Sequence, residues 1–451
     1  MTAYKPASIL PVSHYNNAEA FVIENAVDFS ERHLFPHIRK GIRSSASTEI
    51  TPSRKGGLVG LENIGNTCYL NSCVQCLSHL QVLMRYFDTN DRMEESAGRG
   101  QVVVSFHSLM QKLWSNAKSI EPYELKRVIS RLQPQFQGHE QHDAQEFLRF
   151  LLDSLHDELN RVQDPPKYRE IKTNTNANDR EVSDGYWGYH LERNQSFFSD
   201  TFCGQLGSEV KCQSCLHRSL CFDTFWDISL SFPLMRKIKH PILSPLRAVF
   251  QSRVNVPNLS MESRNGSKSI PSSPKAFGFT RTVSPTRNSL EERSISLIEC
   301  LELFTASELL EESNGFYCSK CRKNGSTWKT IVFYRLPEIL VIHLKRFEVK
   351  AAHCKKNMRN IEFPVESLDL ERFCASGAVL DGGTKYDLMG VVLHDGTLND
   401  GHYTAECLHG VKKAWYSFND ACVSSIAKPS NNSASPYILF YQRRPEQSLT
   451  I

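Results

Sequence analysis

Cysteines and histidines at a few points of this 451-residue chain are spaced for two kinds of chemistry. The first is nucleophilic. In "GLENIGNTCYLNSCVQCLSHL", residues 60–80, Cys68 stands where "GNT" gives way to an apolar helical pattern. Cys73 and Cys76 share the stripe of Leu70 and Leu77 and read as small core residues. A thiol in the first turn of a helix lies beside N–H groups without intrahelical partners, at the positive end of the helix dipole, and both favour the thiolate. By itself that is weak; a matching base strengthens it. "NDGHYTAECL" sets His402 between a Gly-containing turn and a strand, and "WYSFNDACVSS" adds Asn419 and Asp420 at a strand end. Cysteine, histidine, then Asn or Asp in that chain order is the papain-like arrangement. His402 would pair with Cys68 and protonate a leaving amine, while Asn419 or Asp420 orients the imidazole. His394 is the rival base, and its plain alternative role is that of a turn histidine.

The second chemistry is metal binding. Cys212/Cys215 in "KCQSCLHR" and Cys318/Cys321 in "YCSKCRK" are two Cys-x-x-Cys pairs, each at a turn between strand-like segments. Four thiolates close a tetrahedral structural Zn²⁺ site and leave no open position for water, so the predicted role is structural. Four unrelated buried cysteines is the competing reading, which the matched spacing disfavours.

The elements that must carry these residues change in kind along the chain. Apolar residues recur with a helical period over 68–87, and again over 141–160 at Ala144, Phe147, Leu148, Leu151, Leu152, Leu155 and Leu159. After about residue 195 come short β-branched and aromatic runs such as "TIVFYRLPEILVIHLKRFEV" and "YDLMGVVLHDG", which predict antiparallel strands. Helices first and strands later predict an α+β fold. Residues 1–56 read as a polar extension ending in a Ser/Thr/Pro/Gly boundary, 57–444 as the folded domain, and 445–451 as a tail.

Residues 234–294 interrupt the strand half. They hold eleven Lys/Arg against three Asp/Glu and three Ser-Pro steps, at Ser244, Ser273 and Ser284. This composition predicts a disordered insertion, passive or else attracting acidic or phosphorylation-dependent partners. Because it carries +8 of a net +4, the rest of the chain is mildly acidic, at −4. No apolar run approaches the roughly 18 residues of a membrane span, and the N-terminus does not read as a signal peptide. Fourteen cysteines without a disulfide-scaffold density fit cytosol or nucleus.

The Cys segment "GLENIGNTCYLNS" and the His segment "DGHYTAECL…WYSFNDACVSS" resemble the corresponding boxes of the ubiquitin-specific proteases. "GHEQHDAQEFLRFLLDSLHDELNRV" and "LPEILVIHLKRFE" are similar to two further segments of that family in the same order, over about residues 57–444. The resemblance implies a right-hand architecture of helical thumb, β palm and zinc-bearing β fingers that holds the tail of ubiquitin extended. It carries the nucleophile onto Cys68, the general base onto His402, the third catalytic position onto Asn419 with Asp420 its neighbour, and an oxyanion donor onto Asn63. Gln141, Asp143 and Glu146 match ubiquitin-binding positions, the two acids facing an arginine-bearing tail. Asp400 stands where the family commonly has Gly, and His142 where it has Gln.

The implied activity is thiol-dependent hydrolysis at the C-terminal glycine of ubiquitin. Competing readings are a ubiquitin-binding scaffold, a protease for another ubiquitin-like modifier, and a zinc module binding nucleic acid through 234–294. The last leaves the Cys and His boxes without a role.

Overall fold

The computed structural model describes residues 56–89, 100–171, 178–233, 294–350, 353–397 and 400–445. The N-terminal extension to residue 55, the basic segment 234–293 and the tail from 446 lie outside them. The folded chain resumes at Ser294, whose hydroxyl donates to the Asn432 side chain at 2.8 Å.

The described helices are α1 (Cys68–Ser78), α2 (Gln81–Thr89), α3 (Gln101–Leu113), α4 (Tyr123–Leu132), α5 (Ala144–Leu159), α6 (Asp179–Leu191), α7 (Phe197–Phe202) and α8 (Leu297–Thr305). The period over 68–87 thus covers two helices, broken at His79, whose ring bonds the Gln75 and Gly57 carbonyls. α5 is the amphipathic helix expected, begun by the Asp143 carboxylate accepting from the N–H groups of Gln145 and Glu146. Its stripe from Ala144 to Leu155 is buried. α8 falls in the half read as strands; its start is written as a capping box between Ser296 and Glu299.

The strands form two main sheets. The larger, the palm, contains β3 (Ile228–Leu230), β5 (Ile339–Leu344), β7 (Lys385–Gly396), β8 (Gly401–His409), β9 (Ala414–Asn419), β10 (Cys422–Ile426) and β11 (Pro436–Arg443), in the order β10-β9-β8-β7-β11-β5-β3. The smaller, the fingers, contains β1 (Gly204–Cys212), β2 (Arg218–Phe225), β4 (Thr327–Arg335) and β6 (Cys374–Val379), in the order β6-β4-β1-β2. The central palm strands β7, β11 and β5 are buried on both faces. Val392 and Met389 belong to the core shared with the helices, Val391 and Leu388 to a second core that includes Leu297 and Leu301 of α8. Such strands lose the polar-apolar alternation and read as continuous apolar runs.

α1 packs on β8 and β7. It comes so close that a Cβ at Gly390 would press on the Cys76 sulfur at 3.1 Å. That approach is why the fully buried Cys76 is small, while Cys73 Sγ meets the Ala144 carbonyl of α5 at 3.3 Å. In the fingers, Cys212 pairs directly with Thr327 across β1 and β4, which sets the 212–215 turn beside the 318–321 turn.

Candidate active site

Cys68 opens α1 and His402 lies near the start of β8. The chain entering α1 is shaped by Asn63, whose side-chain oxygen accepts from the N–H groups of Gly65 and Thr67 at 3.2 and 3.1 Å. Thr67 occupies the N-cap but turns its hydroxyl back to the Ile64 N–H, and no side chain caps the helix. The first N–H groups of α1 are therefore left for the site.

The backbone N–H groups of Tyr403 and Tyr69 reach the Cys68 sulfur and favour its thiolate. Burial outweighs them. Cys68 is 5% exposed, and desolvation, with the Asp420 carboxylate adding, holds the thiol above its ordinary value. The helix terminus favours the thiolate, but it does not by itself offset burial. Among the described residues no hydrogen bond joins the sulfur to His402, although Tyr403, which does reach it, is the next residue of β8.

His402 Nε2 lies 2.8 Å from Asn419 Oδ1 and 3.9 Å from the nearer Asp420 oxygen. With the amide oxygen as acceptor, Nε2 carries the proton and Nδ1 is left basic. Asp420 does other work. One carboxylate oxygen accepts from Asn63 Nδ2 at 3.0 Å, the other from Asn71 Nδ2 at 2.8 Å. It turns the β9–β10 hairpin in the left-handed region, φ 49°, a conformation Asp tolerates. The strand carrying Gly60 passes under this turn so tightly that a Cβ at position 60 would collide with the Ala421 carbonyl.

The residues predicted to face a ligand divide in two. Gln141 accepts from the Gly401 N–H at 3.1 Å, tying its loop to the strand of His402. The Asp143 carboxylate is committed to the α5 cap and to the Tyr437 hydroxyl. Glu146 stays exposed, its carboxyl raised by partial burial and then by Asp143. Asp400 is exposed. His394 is no loop histidine: it is buried at 2% exposure against Phe347, Tyr403 and Tyr437. Burial, then Lys356, hold its pKa down to about 4.

At the fingertips the sulfurs of Cys212, Cys215, Cys318 and Cys321 all lie within 4.8 Å of one another, with 3.9 Å between 212 and 321 and 3.5 Å between 215 and 318. Tetrahedral coordination at about 2.3 Å separates sulfurs by roughly 3.8 Å, so the cluster fits a metal ion. Leu216 and Arg322, the residues after each pair, both adopt positive φ. Backbone N–H groups of Cys215 and Ser214 draw the Cys212 thiol down, while the neighbouring thiols push Cys321 up, so the four sulfurs titrate as one cluster.

A family model described as ubiquitin carboxyl-terminal hydrolase matches residues 59–441. The chain belongs to that family. Ubiquitin carboxyl-terminal hydrolase 2 of Bos taurus is 33% identical over 408 residues, 89% of this chain and 58% of the relative. The Gallus gallus protein of the same name is 33% identical over 392 residues, 86% of this chain and 93% of its own length. The chain spans under three fifths of the length of the bovine, rat and human relatives it matches. Among solved structures, the SAGA Ubp8/Sgf11/Sus1/Sgf73 DUB module bound to ubiquitin aldehyde aligns at TM-score 0.59 and 23% identity, over 88% of this chain and 72% of that one. It supports the fold: helical thumb, palm and fingers.

Within this hydrolase-family fold, two residues of the site escape a sequence reading. Asn71, buried on α1 three residues after Cys68, and Tyr437, on β11, acquire partners 349 and 294 residues away. Asn71 left no signal, because it falls with Gln75 and Ser78 on the polar side of the helical pattern, all three buried.

Proposed function

We propose that the chain is a thiol-dependent deubiquitinase hydrolysing the isopeptide or peptide bond at the C-terminal glycine of ubiquitin. The observation that carries this reading is the His402–Asn419 hydrogen bond on the strand whose next N–H reaches Cys68. His402, protonated on Nε2 toward Asn419, takes the Cys68 proton at Nδ1. The sulfur then attacks the carbonyl carbon, and the oxygen gains charge near the free N–H groups of α1 and the second Nδ2 hydrogen of Asn63. His402 protonates the departing amine, and water activated by the same imidazole releases the thioester. Asp420 is a positioning residue for Asn63.

Ubiquitin is the proposed partner, since a structural neighbour carries ubiquitin aldehyde and the relatives are named for ubiquitin hydrolysis. Glu146 presents the open acidic group for a basic tail, with Gln141 and Asp143 as the neighbouring ubiquitin-binding positions. Zn²⁺ is the proposed occupant of the four cysteines, where it would stiffen the fingers and take no part in the reaction. Cytosol or nucleus suits thiolate chemistry of this kind.

The test is reaction with ubiquitin bearing an electrophile at its C-terminus, followed by peptide mapping. Labelling at Cys68, and loss of di-ubiquitin cleavage in C68A, are expected. Labelling at Cys73 or Cys76 instead would overturn the site.

A further inference from the structure

An ammonium group is buried behind the nucleophile. Lys126, on α4, is 9% exposed, and among the described residues no carboxylate pairs with it. Its Nζ donates to the Tyr69 hydroxyl at 3.1 Å and to the Phe136 carbonyl at 2.6 Å. Burying a cation with only neutral partners is costly, and a methionine would fill the same space without that cost. The donors must therefore hold something that packing alone does not.

Each acceptor leads to one half of the reacting pair. Tyr69 follows Cys68 in the first turn of α1, and its backbone N–H reaches the Cys68 sulfur. Its ring is boxed by Phe136, His142 and Phe147, at centroid distances of 5.9, 5.2 and 5.4 Å, with the ammonium at the hydroxyl end. Phe136 begins the loop that runs to Gln141, which accepts from the N–H of Gly401, the residue before His402. That loop is also tied to the turn before Cys68, where Asn66 Nδ2 donates to the His139 carbonyl at 2.7 Å. One ammonium thus anchors two arms, one ending at the sulfur and the other beside the imidazole.

We propose that Lys126 is a positioning residue for the thiol chemistry, holding Tyr69 and the Phe136 turn together so that Cys68 and His402 keep their relative placement. This deepens the deubiquitinase reading and rests on it. A packing role would lower stability alone, whereas a positioning role lowers turnover while ubiquitin binding persists.

The experiment compares K126M, Y69F and the double variant on ubiquitin carrying a fluorogenic C-terminal amide, with ubiquitin affinity measured in a C68A background. Expected are a kcat about tenfold lower in each single variant, KM and the affinity within about twofold of the parent, and a double variant no worse than the poorer single, as for groups acting through one contact. Y69F keeps the ring and its box, so it decides the matter if K126M fails to fold. Retention of kcat within twofold in Y69F, or multiplied losses in the double variant, would overturn the proposal. If the parent enzyme itself leaves the substrate intact, the deubiquitinase reading fails. Lys126 is then judged by the rate at which iodoacetamide alkylates Cys68, which Y69F should change and a packing residue should not.

Discussion

Asn419 and Asp420 are adjacent and chemically alike, yet the structure gives them different tasks. Asn419 meets His402 directly, while Asp420 is bonded to Asn63 and Asn71. Removing an oxyanion donor costs about 10²–10³ in kcat, so N63A should fall in that range. If Asp420 acts through Asn63, the N63A/D420A double variant should be little worse than N63A alone, and a kinetic double-mutant cycle measures this. D420N makes a sharper test because two effects oppose. The Asp420 charge is among the causes raising the Cys68 thiol, and a thiol is protonated below its pKa. Neutralising Asp420 lowers that pKa, increases the thiolate fraction at pH 7–8 and should speed alkylation of ubiquitin-free Cys68 by iodoacetamide. The same change weakens the acceptor for Asn63 and should slow turnover about tenfold. Asn tolerates the positive φ, so the hairpin is preserved. Alkylation slower than in the parent would show that Asp420 does not act on the sulfur in this way. Cys68, His402 and Asn419 were legible as candidates because few other residue types could perform the steps proposed for them. Asn71 and Tyr437 were not, because their partners arrive only when distant strands pair.

The elements show how one side chain can serve the fold and the site together. Asp143 starts α5 and holds Tyr437, so its loss removes a cap worth about 1 kcal/mol and leaves a buried hydroxyl short of its acceptor, at about 1–3 kcal/mol. D143A should therefore lower the melting temperature and raise KM for ubiquitin substrates. E146Q, at an exposed position, should raise KM several-fold with the melting temperature unchanged, and thermal denaturation beside steady-state kinetics separates the two. The fingers give a third expectation. Elemental analysis should find about one zinc per chain, and C318S should lose most of it, with lower stability and weaker ubiquitin binding while Cys68 remains alkylatable. The cysteine pairs were readable as a metal-site candidate from spacing alone, because two knuckles of equal pitch have few other uses, and their sulfurs do come together. α8 was not read: its nine residues are a weak periodic signal among strand-like runs, and only the Ser296–Glu299 box marks it.

On the scale of the whole molecule the order of helices before strands predicted the fold class, since a helical thumb and a sheet palm are successive in the chain. The basic segment stands out by its charge. Residues 234–293 carry the excess positive charge, and the described residues that flank them are held at neighbouring positions of the fold. On one side the Pro233 carbonyl accepts from Arg359 at 2.8 Å. On the other, Ile295 pairs with Ile361, two residues further along the same stretch. Both ends are thus pinned to one short segment of the chain. Replacing the 60 residues from 234 to 293 with a ten-residue Gly/Ser linker should leave kcat/KM for a small fluorogenic ubiquitin substrate within about twofold at physiological salt. Shortening the loop sixfold reduces its closure entropy by about 1.6 kcal/mol, so the melting temperature should rise slightly. The net charge falls from +4 to −4, since eleven basic and three acidic residues leave. The acidic body then attracts a basic ubiquitin tail without an opposing field, and kcat/KM should fall with added salt more steeply than in the parent. A tenfold loss of kcat/KM in the linker variant, with its melting temperature maintained, would instead make the basic segment part of ubiquitin recognition.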